Sequence, residues 1–432
     1  MNYDVDVVVA GAGSAGMVAA VAGARNGART LLVERGGFLG GVSTAVLDTM
    51  YAFYAPGEAQ EKVVSGLPDE VVQRIDSYDE VLRRPNTFGS GTGITYNPET
   101  LKRVWDDLAR EAGVRVLLHS FITGAVTDGD RVTGLTFVNK GGAHAVSAKV
   151  VIDATGDADV VASAGGDYEL AGRDSAQQTL TTTFRLANVD ERALTVNKEQ
   201  LHALMREANA SGRFALPREE GSVHRTPDRG VMATIMTRMS GVAPDDVEGV
   251  SRAEAEGRAQ AFEYFRFLKS MAPGYGAAVL IGTSPWIGVR ETRRILGDYQ
   301  VSGEDVLAAR RFPDGIARCG APIEDHHDGR DTRWSYIPNS GTYTIPYRAL
   351  LPRNRDGILV AGRCLSATHD AHASARSIGT CMAMGQAAGS AAALAAREGL
   401  TPRRVPIARL LELLDAQGAD FGQRQRAAAA ER

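Results

Sequence analysis

The first hydrophobic pattern in this chain is a short apolar run that ends in a glycine-rich turn. Residues 5–10 are rich in valine and lead directly into the segment Gly11–Gly16. Such a run is typical of a strand buried in a parallel sheet. Residues 15–26 then have the spacing of a helix with small apolar residues, and residues 29–33 form a second apolar run. The pattern predicts a strand, a turn, a helix and a strand.

This turn predicts a binding site for a dinucleotide. Gly11, Gly13 and Gly16 occupy the positions of the motif G-x-G-x-x-G, and Glu34 ends the second strand. Glycines let the backbone approach a pyrophosphate, the helix N-terminus favours its negative charge, and an acid at that strand end accepts hydrogen bonds from ribose hydroxyls. A glycine-rich loop alone can be only a turn. The complete order of elements favours an adenine dinucleotide.

Later segments distinguish between two kinds of dinucleotide. A nicotinamide dehydrogenase would continue with the second half of a six-stranded sheet, whereas here residues 35–44 form a second glycine-rich stretch that can follow a larger cofactor. Residues 114–119 and 149–153 have strand patterns, 130–135 have the pattern of a hairpin, and 356–363 form another apolar run with a glycine turn.

These segments resemble the FAD-dependent oxidoreductases of the glutathione-reductase type, in the branch similar to fumarate reductase and succinate dehydrogenase flavoproteins. The most specific segments are 361–369 and 376–389. The resemblance implies an α/β fold in which an FAD-binding Rossmann-like domain carries an inserted α+β substrate domain. We expect the FAD-binding domain at 1–165 and 346–405, the insert at 168–345, and a terminal helix with a frayed tail at 406–432.

The resemblance also implies which residues contact FAD. The N-terminus of a helix near Gly379 is expected to face the pyrimidine edge of the flavin, where its partial positive charge stabilises negative charge. No histidine occurs between Met1 and Leu118, so we expect FAD to be bound non-covalently. The expected cofactor contacts are Gly11, Gly13, Ser14, Ala15, Gly16, Glu34, Arg35, Gly41, Ser43, Thr44, Ile122, Ala154, Thr155, Gly156, Asp157, Gly362, Arg363, Ile378, Gly379, Thr380 and Cys381.

Three residues are candidates for catalysis. By resemblance, the loop that contains His369 lies beside the flavin, and an imidazole titrates near neutral pH, so His369 is the first candidate for proton transfer. A structural histidine bonded to a carbonyl is the alternative. Fumarate reductases use an arginine as the acid, which suggests Arg376, but their substrate-clamping motifs are not recognisable here. Tyr343 either binds a substrate oxygen or packs at the domain junction.

Two arginines are candidates for substrate binding. Arg290 and Arg293 lie close together in the sequence, and guanidinium groups bind carboxylates or phosphates through two hydrogen bonds. If the segment is helical, two of its arginines share one face. The alternative is an ion-pair network with Glu291, which is at least as good an explanation for Arg294.

Other features of the sequence argue against a metal site, nucleic-acid binding, a membrane span and a signal peptide. We predict no metal site, because His326 and His327 are adjacent in a charged loop without a further ligand at helical or hairpin spacing. A net charge of −4 without a long basic run gives no support for binding nucleic acid. The apolar segments are too short for a membrane span. The first strand begins at residue 5, so we expect no signal peptide and a cytoplasmic protein.

The sequence therefore predicts an FAD-dependent oxidoreductase that moves a hydride between flavin N5 and a small polar, anionic substrate. Dehydrogenation of a C–OH or C–N bond, desaturation of a C–C bond and its reduction remain open, as do the electron partner and a homo-oligomeric state. A flavin-dependent hydroxylase and a non-catalytic flavin-binding protein are the alternatives.

Overall fold

The computed structural model describes residues 2–86, 89–327 and 332–422. The tail that the sequence predicts to be frayed, residues 424–432, lies outside this part of the chain. Within it, no helix is both long and apolar enough to cross a membrane. The cysteines Cys319, Cys364 and Cys381 are buried free thiols.

The strands fall into one large sheet and several small ones. In chain order they are β1 (Asn2–Ala10), β2 (Thr30–Val33), β3 (Thr49–Met50), β4 (Leu82–Pro85), β5 (Thr92–Thr95), β6 (Arg115–Leu117), β7 (Phe121–Asp128), β8 (Arg131–Asn139), β9 (Gly142–Asp153), β10 (Tyr168–Leu170), β11 (Phe184–Ala187), β12 (Ser222–Arg225), β13 (Met232–Ile235), β14 (Val279–Thr283), β15 (Arg293–Ile295), β16 (Gly315–Cys319), β17 (Ile323–Asp325), β18 (Arg333–Ser335), β19 (Tyr343–Pro346) and β20 (Ile358–Val360).

The helices range from one turn to seven turns. In chain order they are α1 (Ser14–Arg25), α2 (Val42–Ala45), α3 (Leu67–Tyr78), α4 (Pro98–Ala112), α5 (Asp159–Ser163), α6 (Lys198–Ala210), α7 (Val247–Met271), α8 (Gly303–Leu307), α9 (His369–Ala375), α10 (Ile378–Glu398) and α11 (Ile407–Ala416).

The large sheet has the order β6-β2-β1-β9-β8-β7, with β20 pairing beside β9. Strands β6, β2, β1, β9 and β20 are parallel, whereas β7 and β8 form an antiparallel hairpin that continues into β9. Val7, Val8 and Val9 are completely buried, as the valine-rich run predicts. The carboxyl ends of β1, β2, β9 and β20 therefore meet at one edge, where α/β folds bind their ligands.

Helices α1 and α10 pack against each other at very short range. An added Cβ at Gly385 would lie 2.2 Å from the carbonyl oxygen of Ala15, and one at Gly389 would lie 2.1 Å from that of Ala19. Only glycine fits at both positions, because either Cβ would overlap the backbone of α1. These glycines bring the N-terminus of α10 close to the glycine turn after β1.

A second region has its own sheet and core. Strands β12, β13, β11 and β14 form an antiparallel sheet in that order, and the cluster buried beside it includes Phe184, Met205, Tyr264 and Phe267. Met205 belongs to α6, whereas Tyr264 and Phe267 belong to α7. This region falls within residues 168–345, for which the sequence predicts an α+β insert. The division into domains stays a prediction.

The segment around His369 differs from the sequence prediction. The sequence predicts a loop, whereas the structure forms helix α9 directly at His369. Thr368 supplies the N-cap, because its hydroxyl oxygen accepts a hydrogen bond from the backbone N–H of Ala371 at 3.4 Å. The prediction failed because a short helix of small residues has no clear apolar period.

The arginine segment also differs from the sequence prediction. It is not helical: Arg293 and Arg294 belong to β15, which pairs antiparallel with β10. Successive side chains of a strand point to opposite sides. Arg294 is completely buried and lies 2.8 Å from Glu291, whereas Arg293 is a quarter exposed. The ion-pair alternative therefore holds for Arg294.

Candidate active site

A cavity of about 270 Å³ lies at the carboxyl edge of the parallel sheet. Its wall combines the turn after β1, the ends of β2, β9 and β20, and the start of α10, together with residues from the 286–290 and 321–324 segments. Of the residues predicted to contact the cofactor or substrate, it is lined by Gly11, Gly13, Ser14, Ala15, Glu34, Arg35, Gly41, Ala154, Thr155, Gly156, Asp157, Arg290, Gly362, Arg363, Arg376, Ile378 and Cys381.

The turn after β1 is shaped for close approach to a ligand. Gly11 has φ +88°, and an added Cβ would lie 2.7 Å from the carbonyl oxygen of Ala154. At Gly16 an added Cβ would lie 1.9 Å from the carbonyl oxygen of Gly11, so this glycine holds α1 against the turn. A Cβ at Gly13, in contrast, would meet nothing within 4 Å. The turn thus presents bare backbone and the α1 N-terminus to the cavity, which suits a pyrophosphate.

Glu34 is fixed at the end of β2. Its carboxylate accepts hydrogen bonds from the backbone N–H groups of Ala12 and Gly36, both at 2.7 Å. These bonds hold the acid beside the glycine turn while it lines the cavity. Each carboxylate oxygen has a further acceptor position, so Glu34 retains acceptor capacity for ribose hydroxyls.

The start of α10 forms another part of this wall. Ile378 and Cys381 line the cavity, and the backbone N–H of Gly379 donates to the carbonyl oxygen of Tyr51 at 2.9 Å. Ser377 is the N-cap residue but its side chain makes no capping bond. Thr380 lies inside the first turn of the helix. The amides at this helix start carry the partial positive charge of a helix N-terminus.

Several predicted contacts lie outside the cavity wall. Ser43 and Thr44 donate hydrogen bonds to the carbonyl oxygens of Gly40 and Leu39. Thr380 donates to Cys319 Sγ at 3.2 Å. The other predicted cofactor residues that do not line the cavity are Gly16, Ile122 and Gly379.

Two predicted substrate-side residues also lie outside this wall. Tyr343 is completely buried, and its hydroxyl is 2.9 Å from that of Ser374. Arg293 donates to the carbonyl oxygen of Asp157 at 3.1 Å and pairs with Asp159 at 3.0 Å. Arg293 therefore differs from Arg290, which reaches the cavity.

Arg290 and Arg376 bring two guanidinium groups to the same wall. Arg290 donates to the carbonyl oxygen of Thr179 at 2.7 Å and to the hydroxyl of Thr181 at 2.8 Å. Arg376 donates through Nη2 to the carbonyl oxygen of Glu324, whereas its Nε is buried without a hydrogen-bond partner. Burial lowers the pKa of both arginines, and the charge of Arg376 lowers that of Arg290 further.

The charge around this pair is predominantly positive. Arg218 and Arg238 are buried, and their charges also lower the pKa of Arg290. Glu324 lines the cavity, and although burial raises its pKa, its hydrogen bond to His326 and the nearby arginines bring that pKa down to about 2. Glu324 is therefore ionised at neutral pH. Glu291 also acts on Arg376, but the guanidinium groups outnumber the two carboxylates, so the site suits an additional anion.

His369 lies in a different cluster. Its Nε2 is 3.2 Å from Asp325 Oδ1, and its Nδ1 is 2.9 Å from Glu291 Oε2. Burial lowers the pKa of His369, but the two carboxylates outweigh that effect and raise it to about 9. His369 does not line the 270 Å³ cavity. His372 is completely buried and its Nε2 lies 3.0 Å from the carbonyl oxygen of Arg363, a contact typical of a structural histidine.

Sequence reasoning missed several cavity residues, among them Tyr51, Trp286 and Glu324. Burial raises the pKa of the Tyr51 phenol, so it stays protonated at neutral pH. Trp286 stacks on Phe38 with ring centroids 5.3 Å apart, which joins the 286–290 segment to the region after β2. For Tyr51, the only signal in the sequence for a place in the cavity wall is its position after the second glycine-rich stretch.

Comparisons with known proteins identify the family of this chain. The model of the family "FAD dependent oxidoreductase" matches residues 6–414. A segment of 161 residues is 32% identical to digeranylgeranylglycerophospholipid reductase 1 of Methanopyrus kandleri, and it covers 35% of this chain and 39% of that relative. The chain thus matches only about two fifths of this curated relative's length.

Two solved structures share the fold. A geranylgeranyl bacteriochlorophyll reductase-like protein of Thermoplasma acidophilum superposes with a TM-score of 0.52 and 15% identity, over 96% of this chain and 84% of that one. The p-nitrophenol 4-monooxygenase of Pseudomonas putida gives 0.50 and 12%, over 93% and 82%. At these identities the likeness concerns the fold alone. Since the family model spans nearly the whole chain, this protein belongs to the FAD-dependent oxidoreductases and is an enzyme with FAD as its cofactor.

Proposed function

We propose that this enzyme moves a hydride between N5 of non-covalently bound FAD and a carbon of a small anionic substrate held by Arg290 and Arg376. The observation that carries the proposal is the presence of both guanidinium groups on the wall that also contains the glycine turn and the start of α10. FAD supplies the hydride acceptor or donor. In this proposal, residues 168–345 form the substrate side of the cavity.

The hydrogen bonds of the two arginines support this assignment. Thr179 and Thr181 hold Arg290 through Nη1, and Arg376 has a buried Nε without a partner. A carboxylate or phosphate between them would accept these free N–H groups. It would also offset the repulsion that lowers the pKa of Arg290, because guanidinium groups remain charged even when buried.

A hydride transfer to or from carbon needs a matching proton transfer. The sequence predicts His369 for this role, with Arg376 and Tyr343 as further candidates. We assign it to Tyr51, because this residue lines the cavity and its phenol is protonated at neutral pH, whereas an arginine side chain does not release its proton readily. The assignment to His369 stays a prediction, and a variant of each residue separates the two.

The name of the matched relative supports one of the possible reactions, a reduction of the substrate. The protein of Methanopyrus kandleri is called a reductase, which agrees with reduction of a C–C double bond. Its lipid substrate is not carried over, because the match spans 39% of that protein. We therefore propose α,β-unsaturated carboxylates and their saturated counterparts as the first substrates to test.

The experiment compares acids with their methyl esters. Holoenzyme reduced with dithionite is mixed anaerobically with α,β-unsaturated carboxylates, and reoxidation of FAD is followed by absorbance. The reverse arm mixes oxidised enzyme with saturated, 2-hydroxy and 2-amino carboxylates. We expect at least one acid to react and its ester to react tenfold or more slowly. Equal rates for acids and esters would contradict anion recognition, and reactivity only with NAD(P)H and oxygen would favour the hydroxylase alternative.

A further inference from the structure

A second cavity, of about 440 Å³, lies on the other side of β17. Its wall contains Asp325 and Ile323, whereas Glu324 between them lines the first cavity. Three carboxylates reach this second wall, those of Glu304, Asp325 and Asp370, against the single guanidinium of Arg333. The second cavity therefore favours a cation, in contrast to the first.

Two histidines stand beside one of these carboxylates. Asp325, His327 and His369 each offer a ligand atom, and the three atoms lie within 4.8 Å of one another. His369 Nε2 is 3.2 Å from Asp325 Oδ1, and His327 Nδ1 contacts Asp325 Oδ2. With metal–ligand distances of about 2.0–2.1 Å, tetrahedral ligands stand about 3.3 Å apart. Small side-chain rotations would therefore bring all three atoms to one ion.

The surrounding residues orient these groups for such a role. Glu291, which is completely buried, lies 2.9 Å from His369 Nδ1, so the other nitrogen, Nε2, faces Asp325. The amide of Gln178 and the backbone N–H of His327 both donate to Asp325 Oδ1, at 3.3 and 3.0 Å. A carboxylate behind a ligating histidine and hydrogen bonds to a ligating carboxylate are typical of metal sites.

We propose that Asp325, His327 and His369 bind one divalent transition-metal ion, of which Zn²⁺ is the best fit. Two imidazole nitrogens with one carboxylate suit zinc and related ions, whereas Mg²⁺ and Ca²⁺ prefer oxygen ligands alone. Three protein ligands leave a position for water, and the adjoining cavity gives the ion a path to the site. Arg333, whose side chain is 68% exposed, can move away from His327 Nε2, which it contacts at 3.0 Å.

The ion would connect two parts of the chain. Asp325 belongs to β17 and His327 follows it, whereas His369 opens α9. Metal binding would thus tie the strand that carries Glu324 to the helix that leads to Arg376. The sequence alone does not reveal this site, because His326 and His327 have no further ligand at regular local spacing and His369 comes from a distant helix. The proposal does not depend on the proposed reaction.

The test measures metal directly on tag-free holoenzyme. Protein with FAD bound is dialysed against a chelator, desalted, titrated with Zn²⁺ by calorimetry, and loaded with Co²⁺ to record its visible absorption bands. The variants are Asp325→Asn and His327→Asn. His144→Asn is the matched control, because His144 lines neither cavity. The ratio of FAD to protein reports whether each variant is folded.

We expect one Zn²⁺ per FAD in the wild type and in His144→Asn, with Co²⁺ bands typical of tetrahedral coordination. Both ligand variants should bind Zn²⁺ at least tenfold more weakly while keeping FAD. His327 is a quarter exposed, so its replacement should not unfold the protein. Failure of the wild type to bind Zn²⁺ would overturn the proposal and leave a metal-free ion-pair cluster. Unchanged affinity in Asp325→Asn and His327→Asn would overturn it as well.

Discussion

Glu324 and Asp325 are neighbours in β17, but their side chains face different cavities. Glu324 lies on the wall with Arg290 and Arg376, whereas Asp325 lies with His369 on the other side. A strand alternates its side chains between two faces, so one short strand separates an arginine-rich site from a carboxylate- and histidine-rich site. The two sites can therefore be tested independently.

Replacing Glu34 by Gln should weaken FAD binding. The variant loses charge-assisted hydrogen bonds at the ribose and beside Ala12, worth about 1.5–3 kcal/mol, or roughly 10- to 100-fold in Kd. Calorimetric titration of the apoprotein with FAD measures this loss. Glu248→Gln is the control, since its side chain is 90% exposed on α7. Equal FAD affinity in Glu34→Gln and the wild type would mean that another residue contacts the ribose. Retention of FAD by the denatured protein would contradict non-covalent binding.

Replacing Arg290 or Arg376 by Lys should weaken binding of an anionic substrate. Lysine keeps the positive charge but cannot present two parallel N–H groups, and a lost hydrogen bond between charged groups costs about 1.5–3 kcal/mol. We expect KM to rise at least tenfold with an unchanged flavin spectrum. Arg293→Lys is the matched control, because Arg293 contacts Asp157 and Asp159 rather than the cavity. A larger effect at Arg293 than at Arg290 and Arg376 would contradict the proposed pair and assign substrate binding to Arg293.

Tyr51→Phe and His369→Asn distinguish two proton carriers. Removing the phenol of Tyr51 should slow flavin reduction or reoxidation by about 10²–10⁴-fold in a single turnover, with FAD still bound. His369→Asn should change that rate by less than tenfold, because His369 contacts Asp325 and Glu291 behind the cavity wall. Stopped-flow absorbance across a pH series measures both. The reverse order of effects would assign the proton to His369.

Asp159→Asn should stabilise the protein above about pH 6. Burial and the charge of Asp157 raise the pKa of Asp159 to about 6 from its ordinary value near 3.8. The folded state therefore holds this proton more tightly than the unfolded state. The resulting stabilisation is complete below about pH 4 and is lost as the pH rises to about 6. Because the side chain is 46% exposed, we expect only about 1 kcal/mol.

Thermal unfolding of the holoenzyme at several pH values measures this effect. The Tm of Asp159→Asn should match the wild type at pH 4 and exceed it by about 1–2 °C at pH 7.5. Asp130→Asn, in the exposed turn between β7 and β8, should show no such pH-dependent difference. A constant Tm difference at all pH values would mean that the ion pair with Arg293 matters more than the buried charge.

The nucleotide-binding start of the fold was readable from the sequence. The valine-rich run, the glycines of the turn and Glu34 act through short-range rules: apolar period, backbone freedom and the position of an acid at a strand end. Their structural outcome, β1 followed by α1 and β2, depends little on distant residues. The specific segments 361–369 and 376–389 indicated the family of FAD-dependent oxidoreductases, and the family indicated the cofactor.

Only the tertiary structure decided which candidate residues share a cavity. Arg290 and Arg293 have similar sequence surroundings, but β15 pairs with β10 and turns Arg293 toward Asp159, while Arg376 reaches the cavity from the end of α9. His369 meets Asp325 and Glu291 only because α9 packs against β17. Such contacts depend on packing between segments that are distant in the chain. Local periodicity and spacing carry no information about them.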